Sequence, residues 1–232
     1  MKLHNFTYAY YDQLLSELKK PQYLVLNVSG FIQFSEKREL PPDKVIVILR
    51  HDVDDSPDSA AEISRMENRD NITSTYYIRT RGSYDPLSLK MSNWIKWLNQ
   101  NGFEVGLHYE DLYIANYDFA EAVRQFKMDL QKLREISKVI TVCSHGNEKA
   151  AMQKYVNYEI FKQNYTTLEE NSLVGEAYLT VDKYVKQLEL RMKYLSDSGG
   201  KWQPFLEVLT NATGEEVIYF LLHPEWWHKY SL

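Results

Sequence analysis

The sequence predicts an α/β fold built on a parallel sheet, and three observations lead there. Strand-like apolar runs begin near residues 45, 73, 103 and 139, about every 30 residues, and the stretches between them carry apolar side chains at helical spacing, as βαβ units require. The length of 232 residues suits one α/β-barrel-sized domain or two small ones. A composition 44% hydrophobic and 14% aromatic supplies ample material for a core.

Taken in order, Tyr8, Tyr11, Leu14, Leu15 and Leu18 form a helical stripe. Pro21 and Pro41-Pro42 punctuate a polar lead-in, so residues 1–40 read as a helical N-terminal extension. Val45–Leu49 is five apolar residues, four of them Val or Ile, the pattern of a fully buried strand over 45–50. Ser56-Pro57 supplies an N-cap and first helical residue for a helix reaching about Asn68. Thr73–Arg79 is a second strand. Leu87, Met91, Trp94, Ile95 and Leu98 make the next helix, with Gly102 as its stop. Phe103–His108 is a third strand, Phe119, Val123, Phe126, Leu130 and Leu133 a further helix, and Val139–Val142 a fourth strand. Val181–Leu195 reads either as a helix or as two short strands, and Glu216–Leu222 is a clear final strand. No linker or repeat interrupts the chain, and 1–232 reads as a single domain.

A net charge of -5 and a pI near 5.7 give no basic footprint, so a nucleic-acid partner is not expected. No run reaches the roughly 18 apolar residues of a membrane span. Met1–Tyr8 lacks a charged segment leading into an apolar one, and Cys143 is the single cysteine, so no intramolecular disulfide forms. The expected location is cytoplasmic.

The polar residues cluster at strand ends. His51, Asp52, Asp54 and Asp55 follow the first buried strand, His108 ends the third, His145 lies just past the fourth and His223 ends the last. One His at a strand end is usually structural; four of them beside an Asp cluster, on the face that carries the site in parallel barrels, indicate a shared site. His4 and His228 have no such partners and read as surface residues. A mononuclear hydrolytic zinc site needs about three His or carboxylate ligands and an open position, with a separate base and acid. Asp52, Asp54, Asp55, His108, His145 and His223 are residues of the right kind.

Arg50-His-Asp-Val-Asp-Asp-Ser-Pro57 resembles the first motif of the polysaccharide deacetylases of carbohydrate esterase family 4, the NodB-homology domains, in their divergent branch with an Arg-His-Asp-x-Asp opening. Ser196-Asp-Ser-Gly-Gly-Lys-Trp202 and Phe220-Leu-Leu-His-Pro224 look like the fourth and fifth motifs. The resemblance spans residues 45–225 and implies a distorted (β/α) barrel that removes an N-acetyl group from a carbohydrate, using one divalent metal, zinc. It implies Asp52 as base and Asp54 as ligand, or Asp54 and Asp55 in the alternative register. It implies His223 as general acid, Asp197 orienting it, and Trp202 walling the acetyl pocket. The second motif keeps His108 but has Leu112 where the family has its second His. His145, in Cys143-Ser-His-Gly-Asn147, is the natural replacement, with Glu110 and Asp111 as weaker ones. The third motif has no counterpart. The expected partner is an acetylated sugar. The competing readings are a sugar-binding barrel without chemistry and a hydrolase cleaving a non-sugar C–N bond.

Some residues have plainer readings. Asp55 could simply cap the following helix. Trp226 and Trp227 are a sugar platform or, more often, packing. Asn147 is a substrate contact or a turn residue. Cys143, inside a strand, is not expected to be a nucleophile.

Overall fold

Nine consecutive buried residues, Val45–Val53, form the central strand β2. It is longer than the 45–50 read from the sequence, so His51 and Asp52 are strand residues rather than the start of a loop. The computed structural model describes residues 6–146, 155–214 and 216–229; Asn147 and His4 lie outside the described residues.

Around β2 stand β1 (Tyr23–Leu26), β3 (Thr75–Ile78), β4 (Glu104–Tyr109), β5 (Thr141–Ser144), β6 (Gly175–Glu176), β7 (Arg191–Ser196) and β8 (Glu216–Leu222). Every pairing is parallel, in the order β6-β5-β4-β3-β2-β8-β7. β1 shares one side of β2 with β3. β1 takes Val45–Ile48, and β3 takes Arg50–Val53.

The sheet is curled. Arg50 of β2 donates to the Tyr178 hydroxyl just past β6, a chord across strands four places apart in the order. Tyr77 of β3 reaches over β4 to Thr141 of β5, with its hydroxyl 3.1 Å from Oγ1. That reach requires Gly106 on β4, where a Cβ would stand 2.3 Å from the Tyr77 ring. No described residue pairs β6 with β7, so the ring is open there: a parallel half-barrel rather than a closed one.

Helices α1 (Tyr8–Leu18), α2 (Val28–Lys37), α3 (Pro57–Arg69), α4 (Leu89–Gln100), α5 (Asp111–Ile114), α6 (Phe119–Arg134), α7 (Glu159–Lys162), α8 (Leu179–Gln187) and α9 (Phe205–Thr210) surround the sheet. Their starts follow ordinary capping chemistry. Thr7, Asn27 and Asp118 each accept a backbone N–H from the first turn of α1, α2 and α6, and Pro57 opens α3. Gly102 ends the turn after α4 at φ 81°. Val45, Val47 and Leu49 pack outward on α1 and α9, while Ile46 and Ile48 pack inward with Tyr77, Cys143 and Tyr219 and with Phe31 of α2. Both faces of β2 are thus covered, which is why its sequence is continuously apolar.

Two segments differ from the sequence reading. The polar lead-in contains β1 and α2, so residues 1–40 contribute a strand to the sheet. Val181–Leu195 is neither alternative alone: α8 ends at Gln187, Glu189 turns at φ 55°, and β7 begins at Arg191. No described helix is long and apolar enough to cross a membrane.

Candidate metal centre

Side chains on a strand alternate between its two sides, and β2 separates its polar residues that way. Arg50 and Asp52 face the concave interior. His51 faces outward, where Nε2 sits 2.8 Å from Glu67 of α3 and the ring stacks on Tyr76. The expectation that His51 shares the site is therefore corrected: one residue of register places it on the opposite side of the sheet from Asp52.

The other expected residues converge at the C-terminal ends of the strands, in an open cleft of ≈ 650 Å³ lined by Asp52, Asp54, His108, His145 and His223. Asp54 follows β2 directly, and Tyr84 pins that end by donating to the Val53 carbonyl at 2.5 Å. His108 Nε2 is 3.4 Å from Asp54 Oδ1, and His145 Nε2 is 3.5 Å from Asp54 Oδ2. The ligand atoms of Asp54, His108 and His145 all lie within 4.8 Å of one another.

Tautomers explain why a cation fits. His108 Nδ1 is 3.0 Å from the Cys143 carbonyl, which only accepts, so Nδ1 carries the hydrogen and Nε2 offers its lone pair. His145 Nδ1 donates likewise to Glu110 Oε2 at 3.1 Å. Two nitrogen acceptors then face one carboxylate, whose Oδ1 accepts no well-formed hydrogen bond among the described residues, and acceptors facing acceptors need a proton or a metal between them. Each separation, to a different oxygen of Asp54, is close to the roughly 3.3–3.5 Å edge of a tetrahedral nitrogen–oxygen shell.

The field agrees. Burial pushes the Asp54 carboxyl up, but the imidazoles of His108 and His145 outweigh it and hold the group well below the usual carboxylate range. Burial would lower the His145 imidazole, yet Asp54 and Glu110 raise it to about 9. Glu110 is not a ligand candidate here; it orients His145 and is ion-paired to Arg79. Asp111 is buried away from the cleft beside Asp129, and Leu112 is locked in the core.

Asp52 is 2% exposed, with Oδ2 3.2 Å from Arg50 Nη2 and Oδ1 accepting no hydrogen bond among the described residues. Arg50 is itself fully buried, held by the hydroxyls of Tyr219 at 2.9 Å and Tyr178 at 2.6 Å. Asp55 is exposed at the rim and does not cap α3, whose N-cap is Ser56.

On the opposite wall, His223 Nε2 lies 3.9 Å from Asp54 Oδ2. Its Nδ1 is 2.7 Å from Asp197 Oδ1, and its backbone N–H also donates to Asp197. Burial lowers the His223 imidazole, but Asp197, with Asp52 and Asp54, raises it to about 9. The remaining Asp197 oxygen accepts from Trp227 Nε1 at 3.0 Å. Trp202 does not wall the cleft; it packs edge-on against Phe6 and Tyr10 in an aromatic cluster with Trp227. Trp226 does line the cleft, next to Glu225, whose carboxyl burial raises to about 7. His228 is half-buried rather than on the surface, bonded through its backbone to Phe6. Cys143 is buried with its thiol pushed up by that burial, as expected of a non-nucleophile.

Arg50 and Tyr178 are supporting residues that sequence reasoning missed, while Glu110, read as a weak ligand, and Trp227, read as a platform or packing residue, instead support His145 and Asp197. Of the two missed, only Arg50 left a signal: it stands two residues before Asp52 in a buried strand, hence on the same side.

No family model and no curated protein matches the chain. Among solved structures it is similar to the Streptococcus pyogenes deacetylase PplD in complex with acetate, at 20% identity and TM-score 0.45, over 65% of this chain and 67% of that one. It is also similar to the chitin deacetylase from the fungal pathogen Colletotrichum lindemuthianum, at 14% identity and TM-score 0.37, over 42% of this chain and 44% of that one, less than half of either.

Proposed function

We propose that the chain is a metal-dependent hydrolase that removes an N-acetyl group from a carbohydrate. The observation that carries this reading is the convergence of Asp54, His108 and His145, with the far nitrogen of each imidazole already occupied as a donor. These three would hold one divalent cation, zinc by the chemistry of the donor set. When bound, such an ion polarises an acyl carbonyl and acidifies water.

The protein's own groups supply the proton transfers. Asp52 is the base: its Oδ1 has no partner among the described residues, and Arg50 keeps its other oxygen oriented, so Oδ1 takes a proton from the attacking water. This favours the Asp52/Asp54 register over Asp54/Asp55, since Asp55 has no comparable support. His223 is the acid. With its imidazole raised to about 9 it is protonated at neutral pH, and Nε2 gives that proton to the leaving amine as the C–N bond breaks. Asp197 positions His223 and stabilises its charge. Water adds to the acyl carbon, and acetate and a free amine leave. The half-open cleft with Trp226 on its wall suits a ring-shaped substrate.

The test is acetate release from N-acetylated mono- and oligosaccharides by the zinc-loaded protein, with a chelated control. Release that chelation abolishes and zinc restores supports the reading. Stoichiometric zinc without acetate from any such donor would move the assignment to a non-sugar C–N bond, and failure to bind zinc or cobalt would leave a barrel without chemistry.

A further inference from the structure

A second set of possible ligands overlaps the first, and one of its members, Cys143, has no part in the proposed chemistry. Cys143 on β5 is fully buried and points its thiol at the candidate base, with Sγ 3.8 Å from Asp52 Oδ2. His108 Nε2 is 3.5 Å from the same oxygen, and the ligand atoms of Asp52, His108 and Cys143 all fall within 4.8 Å of one another. Asp52, 2% exposed, also has an oxygen that no donor among the described residues satisfies. A sulfur–oxygen edge in a tetrahedral shell is roughly 3.6 Å for zinc and wider for a larger cation, so the 3.8 Å separation fits a large ion with little movement.

We propose that Asp52, His108 and Cys143 form an overlapping metal site that takes a thiophilic divalent cation, cadmium being the model, and excludes the Asp54–His108–His145 set while it is filled. Exclusion follows from the shared ligand: His108 has one free lone pair, on Nε2, because Nδ1–H is committed to the Cys143 carbonyl. Preference follows from donor softness, since a thiolate favours soft cations and the carboxylate–imidazole set does not. Asp52 and His108 line the cleft, so an arriving cation meets them first, with Cys143 behind. Coordination replaces the S–H bond by a metal–sulfur bond, and the proton leaves to solvent; no redox partner is involved. The Arg50 charge, 3.2 Å from Asp52 Oδ2, opposes a cation there, and the new thiolate charge offsets it. Only the inhibitory consequence rests on the proposed hydrolase: occupancy takes the base and one ligand out of use.

The experiment is cadmium titration of the metal-stripped full chain, read by the ultraviolet cadmium–thiolate absorption. Cys143 is the single cysteine, so that band has one possible source. The wild type gains the band with one equivalent of cadmium, Cys143→Ser and Cys143→Ala do not, and His145→Ala keeps it while losing zinc. Half-inhibition of acetate release in Cys143→Ser takes roughly tenfold more cadmium or higher, each protein normalised to its own uninhibited rate. Cadmium bound to the wild type without a thiolate band overturns the proposal, as does loss of the band in His145→Ala or equal inhibition of wild type and Cys143→Ser. If the protein proves to hydrolyse no acetylated sugar, the band still decides whether the site exists.

Discussion

His51 and His108 both stand beside a carboxylate, on opposite sides of one sheet, and the difference between them separates a structural pair from a candidate ligand. On the outer side, Glu67 is saturated. Oε1 accepts from Tyr11 at 2.6 Å and pairs with His51 at 2.8 Å, and Oε2 accepts from Ser74 at 2.8 Å and Tyr76 at 2.7 Å. On the inner side, Asp54 faces the Nε2 atoms of His108, His145 and His223, none nearer than 3.4 Å, and its Oδ1 accepts no well-formed hydrogen bond among the described residues. A saturated carboxylate holds the fold together; an unsaturated one among imidazoles is a candidate to hold a cation.

The strongest way to break this contrast is to delete each carboxylate. Asp54→Ala should abolish zinc binding in equilibrium dialysis and take acetate release to background, with the fold retained. Glu67→Ala should do the reverse, keeping zinc stoichiometry but losing about 3–5 kcal/mol of stability in chemical denaturation, because it strands buried donors. Zinc loss in Glu67→Ala comparable to that in Asp54→Ala would erase the distinction.

Next in size, Asp52→Asn should keep its zinc and lose roughly 10²–10⁴-fold in kcat. Equal zinc loss in Asp52→Asn and Asp54→Ala would make both residues ligands.

A smaller effect lies in pH. Because the His145 imidazole sits near 9 before metal binds, a cation must displace its proton at neutral pH. Zinc affinity should therefore rise with pH up to that value and fall below it by up to about tenfold per pH unit, with proton release visible in titrations in buffers of different ionisation enthalpy. Glu110→Gln should shift this dependence to lower pH.

The smallest effect is on stability alone. Burial, then the charge of Asp129, raises the Asp111 carboxyl from 3.8 to about 8. The folded protein holds a proton there that the unfolded chain releases, so this group makes stability fall as pH rises from 3.8 to about 8. Asp111→Asn should raise the melting temperature by a few degrees at pH 8 and less at pH 5; an unchanged difference between the two would show that the carboxyl does not titrate as described.

The long elements were legible because their burial is continuous or periodic. β2 and β8 stand out as apolar runs, and α4 and α6 as stripes. β1 and β6 span four and two residues, too short for any period to register. β7 is an edge strand with Arg191 and Lys193 exposed or half-exposed, so its sequence reads as surface. At the centre, strand-end position alone pointed to Asp52, Asp54, His108, His145 and His223. It failed for His51, because placing a residue at a strand end does not give its side, and the true end of β2 lies three residues further on. Supports such as Trp227 on Asp197 join residues 30 apart in the chain, and no local pattern encodes such a pair.

His108 and His145 differ in what fixes their tautomers, and this bears on how the centre can evolve. The hydrogen on His108 is held by the main-chain carbonyl of residue 143, which every amino acid supplies, so no substitution there deletes the acceptor. The hydrogen on His145 is held by the side chain of Glu110, which one nucleotide change can remove. The first imidazole is an anchor beyond the reach of point mutation at its partner. The second is a dial, through which the affinity of the proposed metal centre can drift or be selected while the rest of the barrel stays as it is.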